Sequence, residues 1–356
     1  MGRRNNRLKI WFFLLSLGLL VGALAGCGNT RFIFTAGQQK DEVFRIDKEV
    51  CTLPELMVYL TTTQRQYESV YGEEIWNAEW KGVSFVENVK ENVLEKVAQI
   101  KTMNLMAKER KLSLDETEQE KVKKAAARYL NSLSTEEKDA MQIQTKVVEK
   151  LYTEYALANK VYLQITGAVD PEISDDEART VSIQRIAFYK WKKNAEGVRE
   201  ELDASEKNAL YLKACEVREL ACEPDQDFAE LAGKYSDDHT LNYSIGKEDV
   251  DEAAAQVIFN LETREVSEVI ETDKGYYIVK CISTFDKSKT EENKKKLIEK
   301  RKVEAFGEEY EAFLDSLVRR INESVWNEVS FLKVTKKTNT DFFQIYDEFF
   351  PYRSGL

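Results

Sequence analysis

Along most of this chain apolar residues recur every three or four positions, and the two-residue alternation of a half-buried strand is confined to two regions. The first helix is predicted from residue 53 towards 71, where Thr52-Leu53-Pro54-Glu55 supplies a capping box with proline in the first turn. A second runs through Val86, Val89, Val93, Val97, Ile100 and Met103, which share one face, and Lys108-Glu109-Arg110-Lys111 closes it with positive charge. Ser113 with Glu116, and Ser134 with Glu137, read as capping boxes that open two further helices before residue 165. Gly167-Ala168-Val169-Asp170-Pro171 is a linker, and 174–177 reads as one more capped helix start.

The pattern then changes. Residues 181–188 alternate in strand fashion, helices are expected over about 205–222 and 228–235, and the β-branched, aromatic stretch 276–282 is a returning strand. Residues 180–285 therefore form an α+β domain of ordinary size. Beyond it, 287–302 is lysine-rich with glutamates interspersed, a solvated helix face, and Phe306, Tyr310, Phe313, Leu314, Leu317 and Ile321 continue one apolar helical stripe. The tail, with Trp326, Phe331, Phe342, Phe343, Tyr346, Phe349 and Phe350, is too aromatic to stay in water and is expected to pack on the N-terminal helical region. The fold class is α+β: a mostly helical module from both ends (53–170 and 287–356), an extended segment at 27–52, and a central α+β domain at 180–285.

The amino terminus alters the picture. Arg3, Arg4, Arg7 and Lys9 precede an apolar run over 10–24, no acid occurs before Cys27, and the run is short for a membrane span of about 20 residues. Leu24-Ala25-Gly26-Cys27 resembles the lipobox of bacterial lipoproteins, in which the thiol takes a diacylglyceryl group and begins the mature chain. The expectation is a signal peptide at 1–26, lipid attachment at Cys27, and an anchor on the outer face of a bacterial cell membrane. Losing four cations takes the net charge from −11 to −15, which disfavours nucleic acid as a partner and attraction to anionic lipid.

Cys51, Cys215, Cys222 and Cys281 can pair in three ways if oxidised, but Cys215 and Cys222 lie about 10 Å apart along a helix. With one histidine and no Cys-x-x-Cys, no metal site is expected, and the four read as core or half-buried thiols. The lone imidazole, His239, falls in a polar turn and reads as an exposed loop residue.

Four pieces of the central domain resemble the parvulin family in order. They are Asp227-Phe228-Ala229-Glu230-Leu231-Ala232 with Lys234-Tyr235-Ser236-Asp237-Asp238; Ile258-Phe259-Asn260-Leu261; Glu265-Val266-Ser267; and Thr272-Asp273-Lys274-Gly275-Tyr276-Tyr277-Ile278-Val279. A lipoprotein with such a domain between two helical regions is similar to the PrsA/SurA-type foldases. The resemblance implies a chaperone module built from the flanking segments, a central peptidyl-prolyl cis-trans isomerase needing no cofactor, and unfolded or partly folded exported proteins as partners.

It also implies a site, in altered form. Arg185 and Tyr277 stand where the family carries histidines, Asp238 keeps the family's polar position, and Val250 and Ala254 replace a methionine and a phenylalanine of the proline slot, of which Phe259 remains. Arg185, Asp238, Phe259 and Tyr277 are the candidate catalytic residues, and Val250, Ala254 and Phe259 the candidate substrate pocket. Arg185 and Asp238 read equally as an ion pair, and Tyr277 as a core aromatic. With both histidines replaced, two functions stand: an isomerase and chaperone, or a catalytically inactive holdase using the parvulin fold as a scaffold. A solute-binding lipoprotein is disfavoured by the long helical stretches at both ends.

Overall fold

The computed structural model describes residues 33–35, 40–80, 82–338 and 340–351. The expected signal peptide at 1–26 and the expected lipid attachment at Cys27 lie outside the described residues. The elements run β1 (Ile33–Thr35), β2 (Glu42–Ile46), β3 (Glu49–Thr52), α1 (Leu53–Tyr71), a 3-10 turn (Glu73–Asn77), β4 (Glu79–Trp80), β5 (Val83–Ser84), α2 (Phe85–Glu109), α3 (Glu116–Ser132), α4 (Thr135–Met141) and α5 (Thr145–Gly167). They continue as β6 (Thr180–Tyr189), β7 (Trp191–Lys193), β8 (Arg199–Glu201), α6 (Ala204–Ala221), α7 (Phe228–Tyr235), β9 (Asn242–Gly246), α8 (Glu252–Ile258), β10 (Ile270–Glu271), β11 (Gly275–Ser283), α9 (Lys287–Leu314), β12 (Arg319–Asn322), α10 (Glu323–Glu328) and α11 (Phe342–Phe349). No helix among the described residues is long and apolar enough to cross a membrane.

The chain divides into two units, Met1–Val169 with Lys302–Leu356, and Asp170–Arg301. In the first, α1 to α5 surround an apolar core, and a small sheet in the order β1-β12-β2-β3 is assembled from both ends of the chain. Ile321 therefore lies in a strand, paired with Phe44, and the helical stripe stops at Leu314. The side chain still reaches the same core, because a strand delivers alternate residues to one face as a helix delivers every third or fourth.

Local signals account for most helix starts. Ser134 and Glu137 form the expected box, with the Ser134 N–H donating to Glu137 at 2.9 Å. For α3 the cap is Asp115 with Glu118, both reciprocal bonds being 2.8 Å, and not Ser113 with Glu116. Leu114 is buried there, and the Ser113 carbonyl accepts from Lys160 instead. At 174–177 the Glu177 N–H donates to Ser174 Oγ at 3.0 Å, yet only a turn forms, since Thr180 already enters β6.

In the first unit α11 inserts Phe342, Phe343 and Tyr346 into the core. The Phe342 ring stacks on Tyr152 with centroids 4.1 Å apart, and the Tyr152 hydroxyl donates to the Phe342 carbonyl at 3.0 Å. Each such ring contributes roughly 1.5–3 kcal/mol through area removed from water. A charged cluster lies in the same unit: Lys101 donates to Glu55 at 2.9 Å and to Glu154 at 2.7 Å, all three side chains being buried. Pairing is what makes these charges tolerable away from water.

The second unit is an antiparallel sheet in the order β10-β11-β6-β9. Ile186, Phe188, Tyr276 and Ile278 point to one face, which α6 and α7 cover through Ala214, Val217, Phe228 and Leu231. Val181, Ile183, Ile245, Val279 and Cys281 point to the other, which α8 covers. Cys51 and Cys281 are buried and Cys215 is half-buried, but Cys222 is exposed because it caps α6 after the last turn that faces the sheet.

Candidate functional site

The two-residue repeat of β6 places Val181, Ile183, Arg185, Ala187 and Tyr189 on one sheet face. Across the register, Arg185 lies opposite Val279, Ala187 opposite Tyr277, and Ile183 opposite Tyr243. The α8-covered face thus begins apolar and becomes polar towards Arg185, Tyr243 and Tyr277. Ala187 leaves room between the large side chains on either side of it.

Asp238 reaches this end from the loop after α7. That loop is pinned by the Ser236 hydroxyl, which accepts from the Ala187 and Asp238 backbone N–H groups at 3.1 Å, and by the Asp237 N–H, which donates to the Ala187 carbonyl at 2.8 Å. Asp238 Oδ2 accepts from the Arg185 guanidinium and from the Tyr243 hydroxyl, each at 2.5 Å, and Arg185 also donates to the Tyr243 oxygen at 2.8 Å. The guanidinium carbon lies 4.1 Å from the Tyr243 ring centre and 4.9 Å from that of Tyr277. The ion pair expected between Arg185 and Asp238 is therefore present, sandwiched by two phenols.

Burial pushes the Asp238 carboxyl up, but the Tyr243 hydroxyl, the Thr240 N–H and the Arg185 guanidinium outweigh it and bring it down to about 2. The carboxylate stays ionised at any physiological pH. Burial, and then donation to Asp238, raise the Tyr243 phenol, and burial followed by the Asp238 charge raises that of Tyr189. Both phenols remain protonated donors.

The apolar candidates are placed differently. Ala254 and Phe259 are buried in the cluster with Val181, Ile183 and Ile245, and Val250 packs half-buried against it. Only 8% of Phe259 is exposed. Arg179 covers it, with its guanidinium 5.2 Å from the ring centre and a 2.9 Å bond to the Phe259 carbonyl. Tyr277 touches both settings: it packs half-buried against the apolar cluster while Arg185 lies over its ring. His239 is exposed in its turn.

Sequence reasoning missed Tyr243 and Tyr189. The signal was available in the alternation of β6 and β9, but only the register sets Tyr243 beside Arg185. No group of three or more His, Cys, Asp or Glu among the described residues is disposed to hold a metal ion. The site's chemistry is a fixed anion, a cation and several phenolic donors beside a closed apolar cluster.

Residues 171–292 match the family model of the PPIC-type PPIASE domain. The chain is 25% identical over 301 residues to the Foldase protein PrsA of Caldanaerobacter subterraneus subsp. tengcongensis, covering 80% of this chain and 86% of that one. Among solved structures it is similar to the peptidylprolyl isomerase PrsA of Bacillus cereus, at 17% identity and a TM-score of 0.37, over 76% of this chain and 97% of the other. The foldase protein PrsA of Streptococcus pneumoniae is 19% identical, with a TM-score of 0.30, over 76% and 98%.

Proposed function

We propose, from the premise that this chain belongs to the PrsA-type foldases with a PPIC-type isomerase domain, that it is a lipid-anchored folding factor which speeds cis/trans isomerisation of X-Pro bonds in exported proteins. The observation that carries the reading is the convergence of Arg185, Asp238, Tyr243 and Tyr277 at the open end of the α8-covered sheet face.

Isomerisation twists the prolyl amide over a barrier of about 18–20 kcal/mol and takes tens to hundreds of seconds unaided. Twisting ends the conjugation between nitrogen and carbonyl, so a donor set in advance to suit the twisted amide lowers the barrier. Here the donors are the Arg185 guanidinium and the Tyr277 phenol, while the Tyr243 hydroxyl is committed to Asp238. Asp238 and Tyr243 position the Arg185 guanidinium without a change in the charge of Asp238, and every 1.36 kcal/mol of preferential stabilisation is tenfold in rate. No cofactor enters this chemistry. Val250, Ala254 and Phe259 form the apolar floor beside these donors.

Cys27 carries the lipid. Two acyl chains, at roughly 0.8 kcal/mol per buried methylene, suffice for a stable anchor, and they hold an acidic protein that headgroups would not attract. Anchorage raises the local concentration of chains leaving the membrane.

A second reading, an inactive holdase, is favoured by the closure of Phe259 beneath Arg179. The two part in one assay, in which a proline peptide relaxes from a cis excess with and without the full chain in lipid nanodiscs. Acceleration that falls on Tyr277→Phe and Arg185→Ala supports the isomerase. No acceleration at micromolar protein, with aggregation of an unfolded client still suppressed, leaves the holdase.

A further inference from the structure

The sheet that both ends of the chain build also fixes where the amino-terminal segment meets the fold. β1 pairs with β12 in parallel, Ile33 opposite Arg320, so both strands start at the same end of the sheet. At that end β2 turns into β3 through Asp47 and Lys48, with Asp47 at a φ of 49°, and the Asp47 N–H donates to the Val318 carbonyl at 2.9 Å. The chain therefore enters β1 at the end marked by Val318, Arg319 and the turn at 47–48. Six residue steps separate Cys27 from Ile33, a reach of at most about 22 Å when fully extended.

This end carries cations that no internal acid neutralises. Lys48 and Arg320 are exposed and Arg319 is half-buried, and none of the three forms an ion pair with a described residue. Arg45, next to them, is already held by Glu42 at 2.7 Å. The acids of the same turns are Asp47 and Asp315, and the sequence between Cys27 and Ile33 adds Arg31 and no acid. Four cations against two acids make this end positive on a chain whose net charge is −11. Val318, 51% exposed, keeps an apolar side chain in water at the same place. The net acidity opposes approach to an anionic surface from solution. Once an anchor holds the chain there, screening over a Debye length of about 8 Å leaves the nearest charges to decide which end faces the headgroups.

We propose that this end of the β1-β12-β2-β3 sheet is a docking surface for anionic lipid headgroups: Lys48, Arg319 and Arg320 pair with them, Val318 enters the interfacial layer, and the first unit is held in one orientation on the membrane. The inference rests on lipid attachment at Cys27 and adds which face of the unit the membrane meets.

The test uses the full chain, expressed with its own signal segment, on vesicles of phosphatidylcholine alone or with about one third phosphatidylglycerol. Acylation of exposed lysines by an N-hydroxysuccinimide ester is followed peptide by peptide in a mass spectrometer. Lys48 should react at least about fivefold more slowly on the anionic vesicles, and Lys124, exposed on α3, at the same rate on both. About 1 M salt, which shortens the Debye length to about 3 Å, should restore the Lys48 rate, and Arg319→Gln with Arg320→Gln should restore it at low salt. Because the salt arm is read on the unaltered protein, the test stands even if the double variant fails to fold. Equal Lys48 rates on the two vesicles, or Lys48 and Lys124 slowed alike, overturn the docking surface and leave the anchor standing. Slowing on phosphatidylcholine that rises with protein density marks a second copy on this edge and overturns it too. A chain that floats with neither vesicle overturns both the surface and lipid attachment at Cys27.

Discussion

Asp238→Asn keeps the shape of the side chain and removes the one charge that balances Arg185. In the folded protein the carboxyl is held at about 2 against an ordinary 3.8. At 1.36 kcal/mol per unit that difference corresponds to about 2.5 kcal/mol. The Asp238 side chain is 16% exposed and that of Arg185 22%, so solvent screening reduces the expected loss to about 1–2 kcal/mol. A depressed folded value contributes stability that is fully present above the unfolded value, near 4, and is lost as pH falls towards 2. Asp237 and Ser236 tie the same loop to β6, so the loss should appear locally in β6 and β11. Hydrogen exchange of those strands in the full chain, normalised to the intrinsic rate at each pH, should therefore be about 5- to 30-fold faster in the variant at neutral pH. The two proteins should converge near pH 2. A difference below twofold at neutral pH, or one undiminished in acid, would refute the claim that this ion pair holds the site together.

Three further outcomes are expected. Lys101→Met removes the buried cation shared by Glu55 and Glu154, leaving them only the half-exposed Lys150 as a cationic partner, and should cost up to about 3–5 kcal/mol in urea unfolding. Burial already raises the Glu154 carboxyl, and a raised folded value favours the protonated form, so that deficit should shrink on acidification. Gly275→Ala would press a Cβ onto the Phe188 carbonyl oxygen and within 3.1 Å of Tyr189 Cα, so thermal unfolding should register a loss of about 1–3 kcal/mol. His239→Ala, in an exposed turn, should leave the rate of proline isomerisation unchanged in the peptide assay.

Much of the local structure was legible because its causes are local. The bounds of α1 follow from Thr52, Pro54 and Glu55, and those of β6 and β11 from alternation and β-branching. Errors came where two local signals overlapped, as with Ser113 and Asp115, or where a short apolar stretch suited either period, as at Ile321. The site was legible in part. Arg185, Asp238 and Tyr277 were found through a family resemblance, whereas Tyr243 has no local mark and joins them only by lying opposite Ile183 in the neighbouring strand.

The amino-acid order by itself determined most of the helical segments, the strands β6 and β11 and the charge of the chain, since the local pattern depends on neighbours within one or two turns. Only the tertiary structure decided that Asp238 is neutralised by Arg185 and bonded by Tyr243, that Phe259 is closed beneath Arg179, and that both ends of the chain share a sheet. These outcomes join residues far apart along the chain, and strand register and loop closure choose among many pairings that the local pattern leaves equal.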